Sequence, residues 1–106
     1  MQHLKDVKGK DLVPGLFARF VHSKTMTLSF VEIQPGVTMP VHSHPHEQIT
    51  HVLEGELEMT IDGEKLVLTP GTVHVIPGNT PHGAYSRTAV RLIDAFNPVR
   101  EDYIIQ

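Results

Sequence analysis

The chain has 106 residues, no cysteine, and a formal charge of −3 from nine Lys/Arg and twelve Asp/Glu. That length gives a single domain, 1–106, able to bury a core without disulfides, and the missing thiols confine any metal to nitrogen and oxygen ligands. Scattered basic residues exclude an electrostatic nucleic-acid surface; with no apolar leader core and no run of transmembrane length, a cytoplasmic protein without membrane contact is expected.

In chain order, the first residues are the least periodic, and 1–26 is expected to be an arm or edge strand beside a core of about 27–96. From there, apolar alternation predicts strands over 27–33, 48–54, 56–61, 65–68, 72–76 and 89–96. Turn chemistry separates them: Gln34-Pro35-Gly36, Glu54-Gly55, Asp62-Gly63, Pro70-Gly71 and Pro77-Gly78-Asn79. Asp62-Gly63 between two alternating runs is a two-residue hairpin signature. No segment carries an apolar stripe at helical spacing. The class is all-β, an antiparallel sandwich or barrel.

Eight histidines are many for such a chain, and four of them fall between His42 and His51. Histidine is the commonest metal ligand. His42-Ser43-His44 sets two imidazoles at i and i+2, on one face of an extended chain. Gln48 opens the next strand, and His82 follows the Pro77-Gly78-Asn79 turn. In a barrel these four side chains can converge on the lumen as metal ligands, leaving coordination positions for water or substrate. His3, His22 and His51 read as ordinary surface or core residues, and His51 has the parity to point outward. His46 reads as a turn residue and His74 as a structural one.

These spacings resemble the cupin family over nearly the whole chain. The first cupin motif is matched by Gly36, His42-Ser43-His44, Gln48 and Gly55; the second is matched by Gly71, Pro77-Gly78-Asn79 and His82. Three positions depart from the pattern. Gln48 stands in place of a glutamate, Asn79 in place of a turn glycine, and Ser86 in place of a structural asparagine. The resemblance implies a double-stranded β-helix (jelly-roll) barrel holding a divalent transition metal: Ni, Zn, Mn, Fe or Co. With neutral ligands only, the ion keeps its charge and attracts an anionic ligand.

The C-terminal strand adds Asp94 between Leu92 and Phe96 on one face. Two readings stand level: a buried aspartate satisfied by an arginine, or an acid/base group of raised pKa. The run Asp94-Ala95-Phe96-Asn97-Pro98-Val99-Arg100-Glu101-Asp102-Tyr103 resembles the C-terminus of KdgF-type cupins, as His42-Ser43-His44-Pro45-His46-Glu47-Gln48 resembles their metal motif. That resemblance implies ring opening of 4,5-unsaturated uronates, released by pectin or alginate lyases, to linear 4-deoxy-5-keto-uronates. It implies His42, His44, Gln48 and His82 as metal ligands, and Asp94, Phe96 and Arg100 as active-site residues. The expected partner is a small anionic sugar acid. A homodimer formed by exchange of an N-terminal strand from 13–21 is also expected. The alternatives are another cupin metalloenzyme, such as a dioxygenase or isomerase, and a non-catalytic sugar- or acid-binding cupin.

Overall fold

The computed structural model describes residues 1–105. Its ten strands are β1 (Gly9–Val13), β2 (Leu16–His22), β3 (Thr27–Ile33), β4 (Thr38–His42), β5 (Glu47–Glu54), β6 (Leu57–Ile61), β7 (Glu64–Leu68), β8 (Val73–Ile76), β9 (His82–Ser86) and β10 (Val90–Asn97). Helix is limited to two short 3-10 turns, Leu4–Asp6 and Glu101–Tyr103. The strands form a six-stranded sheet, ordered β1-β2-β3-β10-β5-β8, and a four-stranded sheet, ordered β4-β9-β6-β7. Every pairing is antiparallel. This is the jelly-roll barrel. No helix among the described residues is long and apolar enough to cross a membrane.

Alternation does the sorting. On β2, Leu16, Ala18 and Phe20 are buried while Phe17, Arg19 and Val21 lie on the other face. On β5 the buried set is Gln48, Thr50 and Val52, so His51 does lie on the outward face. The hydrophobic core joins Leu16, Ala18, Phe20 and Val52 to Val31, Ile33, Leu57, Met59, Leu68, Ile76, Val90 and Leu92. Each large side chain removed from water contributes roughly 1.5–3 kcal/mol.

Turns fix the registers. Asp62 and Gly63 both have positive φ, 50° and 82°, as a type I′ hairpin turn between β6 and β7 requires. Asn79 adopts φ 62°, so the asparagine tolerates the left-handed conformation expected of it. Ser86 anchors the loop between β3 and β4: its Oγ donates to the Gln34 carbonyl at 2.6 Å and accepts the Val37 N–H at 2.9 Å.

Six strands form where alternation places them, within about a residue at each end. The region 1–26 supplies β1 and β2, a hairpin at the edge of the larger sheet, with β2 paired along its length to β3 in the same chain. β4 and β9 were hidden in the sequence. β4 is largely exposed and holds Pro40, which an edge strand admits; β9 is short and contains Gly83.

Candidate metal centre

β4 and β9 carry two of the four expected ligands. His42 and His82 are register partners across these two strands, with ring centroids 4.4 Å apart. His44 follows β4 in the loop, and Gln48 is the second residue of β5. The loops that hold these ligands are tied together: the Asn79 N–H donates to the His44 carbonyl at 2.7 Å. Gly78 lies so close to the Pro45 carbonyl that a side chain there would collide with it. The second turn thus braces the first ligand loop.

Ligand atoms of His42, His44 and His82 lie within 4.8 Å of one another. Each ring has its Nδ1 against a main-chain carbonyl: His42 to Pro40 at 2.9 Å, His44 to His46 at 3.0 Å, and His82 to Thr80 at 2.8 Å. A carbonyl only accepts, so Nδ1 carries the proton in all three and Nε2 is left with its lone pair. This outer shell is the one metal-bound imidazoles need. Burial, with help from Arg100 and His82, pushes His44 down to about 4; burial also lowers His82. Both are therefore neutral and ligand-competent near pH 7.

The His44 Nε2 lies 3.1 Å from the Gln48 Oε1. With His44 neutral and its proton on Nδ1, two acceptors face each other there. A shared cation resolves that opposition. The residues present therefore fit a divalent metal held by three imidazoles and an amide oxygen, a donor set suited to first-row transition ions.

Behind the ligands stands Asp94. Its Oδ1 accepts from the Thr50 hydroxyl at 2.6 Å and from the Gln48 Nε2 at 3.2 Å, and the same Gln48 nitrogen donates to Thr50 Oγ1 at 3.0 Å. Burial pushes the Asp94 carboxyl up to about 6, although the hydrogen bonds from Thr50 and Gln48 pull the other way. Arg100 does not pair with Asp94. Its Nε and Nη2 donate to Asp102 at 3.1 and 2.8 Å, and its guanidinium lies 3.9 Å from the Tyr103 ring centroid and 4.7 Å from that of Phe96. This clamp holds a nearly buried arginine, 5% exposed, in one place. Phe96 also sets its ring edge-on to His44, at 5.7 Å.

All seven residues expected from the sequence line one cavity. Thr50, Tyr103 and Ser29 line it too. For Thr50 the signal was its parity with Gln48; Tyr103 follows Arg100 in a turn whose contacts no periodicity encodes. His46 occupies the bend between β4 and β5, its ring 5.5 Å from that of His44, and His22 hydrogen-bonds Thr27 away from the ligands. The enclosed space is about 70 Å³. Pockets for drug-sized ligands are several hundred Å³. That space admits an ion and a few waters.

Residues 29–96 match the Cupin domain. The pectin degradation protein KdgF of Dickeya dadantii is 33% identical over 84 residues, which cover 77% of this chain and 76% of that protein. Among solved structures, an RmlC-like cupin from Shewanella frigidimarina superposes with a TM-score of 0.91 at 30% identity, covering 98% of this chain and 95% of that one. KdgF from Halomonas sp. superposes with a TM-score of 0.87 at 31% identity, covering 94% of each chain. Matches with other names include an H2HPP isomerase and an L-ectoine synthase, of which the chain spans 34% and 41%. The metal-ligand geometry, the barrel and these matches agree: the chain belongs to the cupin family.

Proposed function

We propose that this protein is a metal-dependent enzyme that opens the ring of 4,5-unsaturated uronates to give linear 4-deoxy-5-keto-uronates. The observation that carries this reading is the convergence of the three-histidine, one-glutamine centre with Asp94, Phe96 and Arg100 in one cavity. The similarity to KdgF over three quarters of the chain supports it.

The reaction is an isomerisation, so a proton must leave one atom and arrive at another. In the cyclic form, the C1 hydroxyl loses its proton as the C1–O5 bond breaks, giving an aldehyde and a C5 enolate. Protonation at C4 then yields the C5 ketone. Asp94 would take the first proton and return it at C4, which needs no other reactant. A divalent ion held by His42, His44, Gln48 and His82 would supply Lewis acidity for the negative charge that develops in the reaction. Arg100 answers the substrate's negative charge. Asp102 already occupies its Nε–Nη2 side, so the substrate carboxylate would be met by the N–H groups left on Nη1 and Nη2. Phe96 walls the site against water.

The test is a lyase digest of polygalacturonate or alginate, whose unsaturated ends absorb in the ultraviolet. Added protein accelerates loss of that absorbance, a chelator abolishes the acceleration, and a divalent metal restores it. Binding of the digest with undiminished absorbance would sink the catalytic reading and leave a sugar-acid-binding cupin.

The protein is further proposed to be a homodimer. Ile49, Val73 and Val75 are exposed on the outer face of β5 and β8, at the edge of the larger sheet. A second copy would cover them. Sedimentation equilibrium decides between one and two chains.

A further inference from the structure

We infer that Thr50 is a positioning residue for the acid/base step, setting the orientation of both Asp94 and the Gln48 amide. This inference rests on the ring-opening reading of the site. Thr50 is 1% exposed and is the register partner of Asp94 across β5 and β10. Its hydroxyl has one proton, spent on Asp94 Oδ1 at 2.6 Å, and lone pairs that accept the Gln48 Nε2 at 3.0 Å.

Two consequences follow from that single hydroxyl. First, a side-chain amide has two nearly equivalent orientations, and its partners decide between them. The inner atom of Gln48 faces a lone pair of Thr50 and, at 3.2 Å, the Asp94 carboxylate. Only the NH2 satisfies both, so the amide oxygen is turned toward His44 and the metal position. Second, Oδ1 of Asp94 receives both donors, while no protein donor reaches Oδ2 among the described residues. The carboxylate is thereby pinned by one oxygen, and the other is free to exchange a proton. The cavity is lined by Asp94 beside Ser29, its register partner on the opposite flank, whose hydroxyl makes no side-chain hydrogen bond among those described. On the β5 flank Thr50 and Gln48 both reach Asp94, and the Thr50 hydroxyl makes the shorter bond.

The test compares wild type with Thr50→Val, which keeps the shape and removes the hydroxyl, and with Thr50→Ser, which keeps the hydroxyl. Thr50→Ala stands in should the valine variant not fold. Removing an outer-shell partner typically costs about 10–100-fold in activity. Thr50→Val is expected to lower kcat by about 10-fold or more. KM for the unsaturated uronate and the metal content per chain should hold, and Thr50→Ser should recover most of the rate. A kcat within about twofold of wild type, on that same scale, overturns the inference. So does a loss of metal in proportion to the loss of rate, which would make the hydroxyl a support of the ligand alone. Crystal structures of wild type and Thr50→Val, loaded with the same metal, give a readout that needs no turnover. An Asp94 carboxylate turned away from its wild-type rotamer, or a flipped Gln48 amide, supports the inference; unchanged positions of both overturn it. If wild type leaves the uronate untouched, the function reading fails and the crystallographic arm still decides the role of Thr50.

Discussion

The two ends of the barrel lumen are built by the same strands and behave as different materials. At one end β3, β5, β9 and β10 present Ser29, Gln48 with Thr50, His82, and Asp94 with Phe96. A step or two along the same inward faces they present Val31, Val52, Ala84 and Leu92. Strand alternation decides only what points inward. Polarity along the strand axis then divides an apolar end, which supplies stability, from a polar end where every group needs a partner or a ligand. Substitutions only two residues apart should therefore have unrelated effects.

The sharpest contrast lies on β10. Asp94→Asn keeps the shape and removes the proposed acid/base group, so on that reading uronate turnover should fall by about 10²–10⁴-fold, the range for general acid–base catalysis. Metal content and melting temperature should stay near wild type. An unchanged turnover number would assign the proton transfers elsewhere. Leu92→Ala, one inward position away, should do the reverse. Truncating a buried leucine, here 4% exposed, costs about 2–5 kcal/mol of stability. Urea denaturation should show that loss, while the metal stoichiometry of the folded fraction is retained. A Leu92→Ala protein of normal stability but no metal would erase the division between the two ends.

Gln48→Glu sharpens the comparison within the polar end. The variant restores the carboxylate common at this position in cupins, so metal should still bind. However, the amide nitrogen that donates to Asp94 at 3.2 Å becomes a second carboxylate oxygen. Two carboxylates at that distance do not both stay ionised at ordinary cost. Turnover should drop by roughly tenfold, on the scale of lost outer-shell partners, with metal content unchanged. Measured kcat and metal analysis of the same preparation test this together. Equal activity in the glutamate form would mean that the amide's donation to Asp94 has no part in turnover.

The apolar end was the more legible in sequence, for a physical reason. β3, β5 and β10 bury alternate residues over seven or eight positions, and turns such as Asp62-Gly63 announce themselves by the φ they demand. β2 was expected only through the resemblance, as an N-terminal strand from 13–21; alternation does not mark it because both its faces carry apolar residues: Leu16, Ala18 and Phe20 inside, Phe17 and Val21 outside. At the polar end, the His42-Ser43-His44, Gln48 and His82 spacing survived because a metal fixes residue types at fixed intervals. The partners of Asp94 and Arg100 were less visible. Arg100 was expected only as an active-site residue, and its side-on donors are bound to Asp102, two residues along a 3-10 turn. Contacts made by a turn of that kind leave no periodic trace.

The smallest expected effect is at that turn. Asp102 is 56% exposed while Arg100 beside it is 7% exposed by side chain. The Arg100 guanidinium holds the Asp102 carboxyl below its usual range, chiefly by the hydrogen bond. Its ion pair contributes stability that is fully present above the unfolded aspartate value of 3.8 and is lost as pH falls through the lower folded value. Exposed pairs contribute only about 0–1 kcal/mol. Asp102→Asn should therefore lower the melting temperature by a few degrees at most near neutral pH. The difference from wild type should close as the pH is taken below the unfolded value. Thermal scans of both proteins from pH 7 to pH 3 read this directly. On the proposed reading Asp102 places Arg100 for the substrate, so the same variant should show its larger effect in KM for the uronate. A stability loss that persists undiminished in acid would mean that Asp102 braces the turn by packing and not by charge.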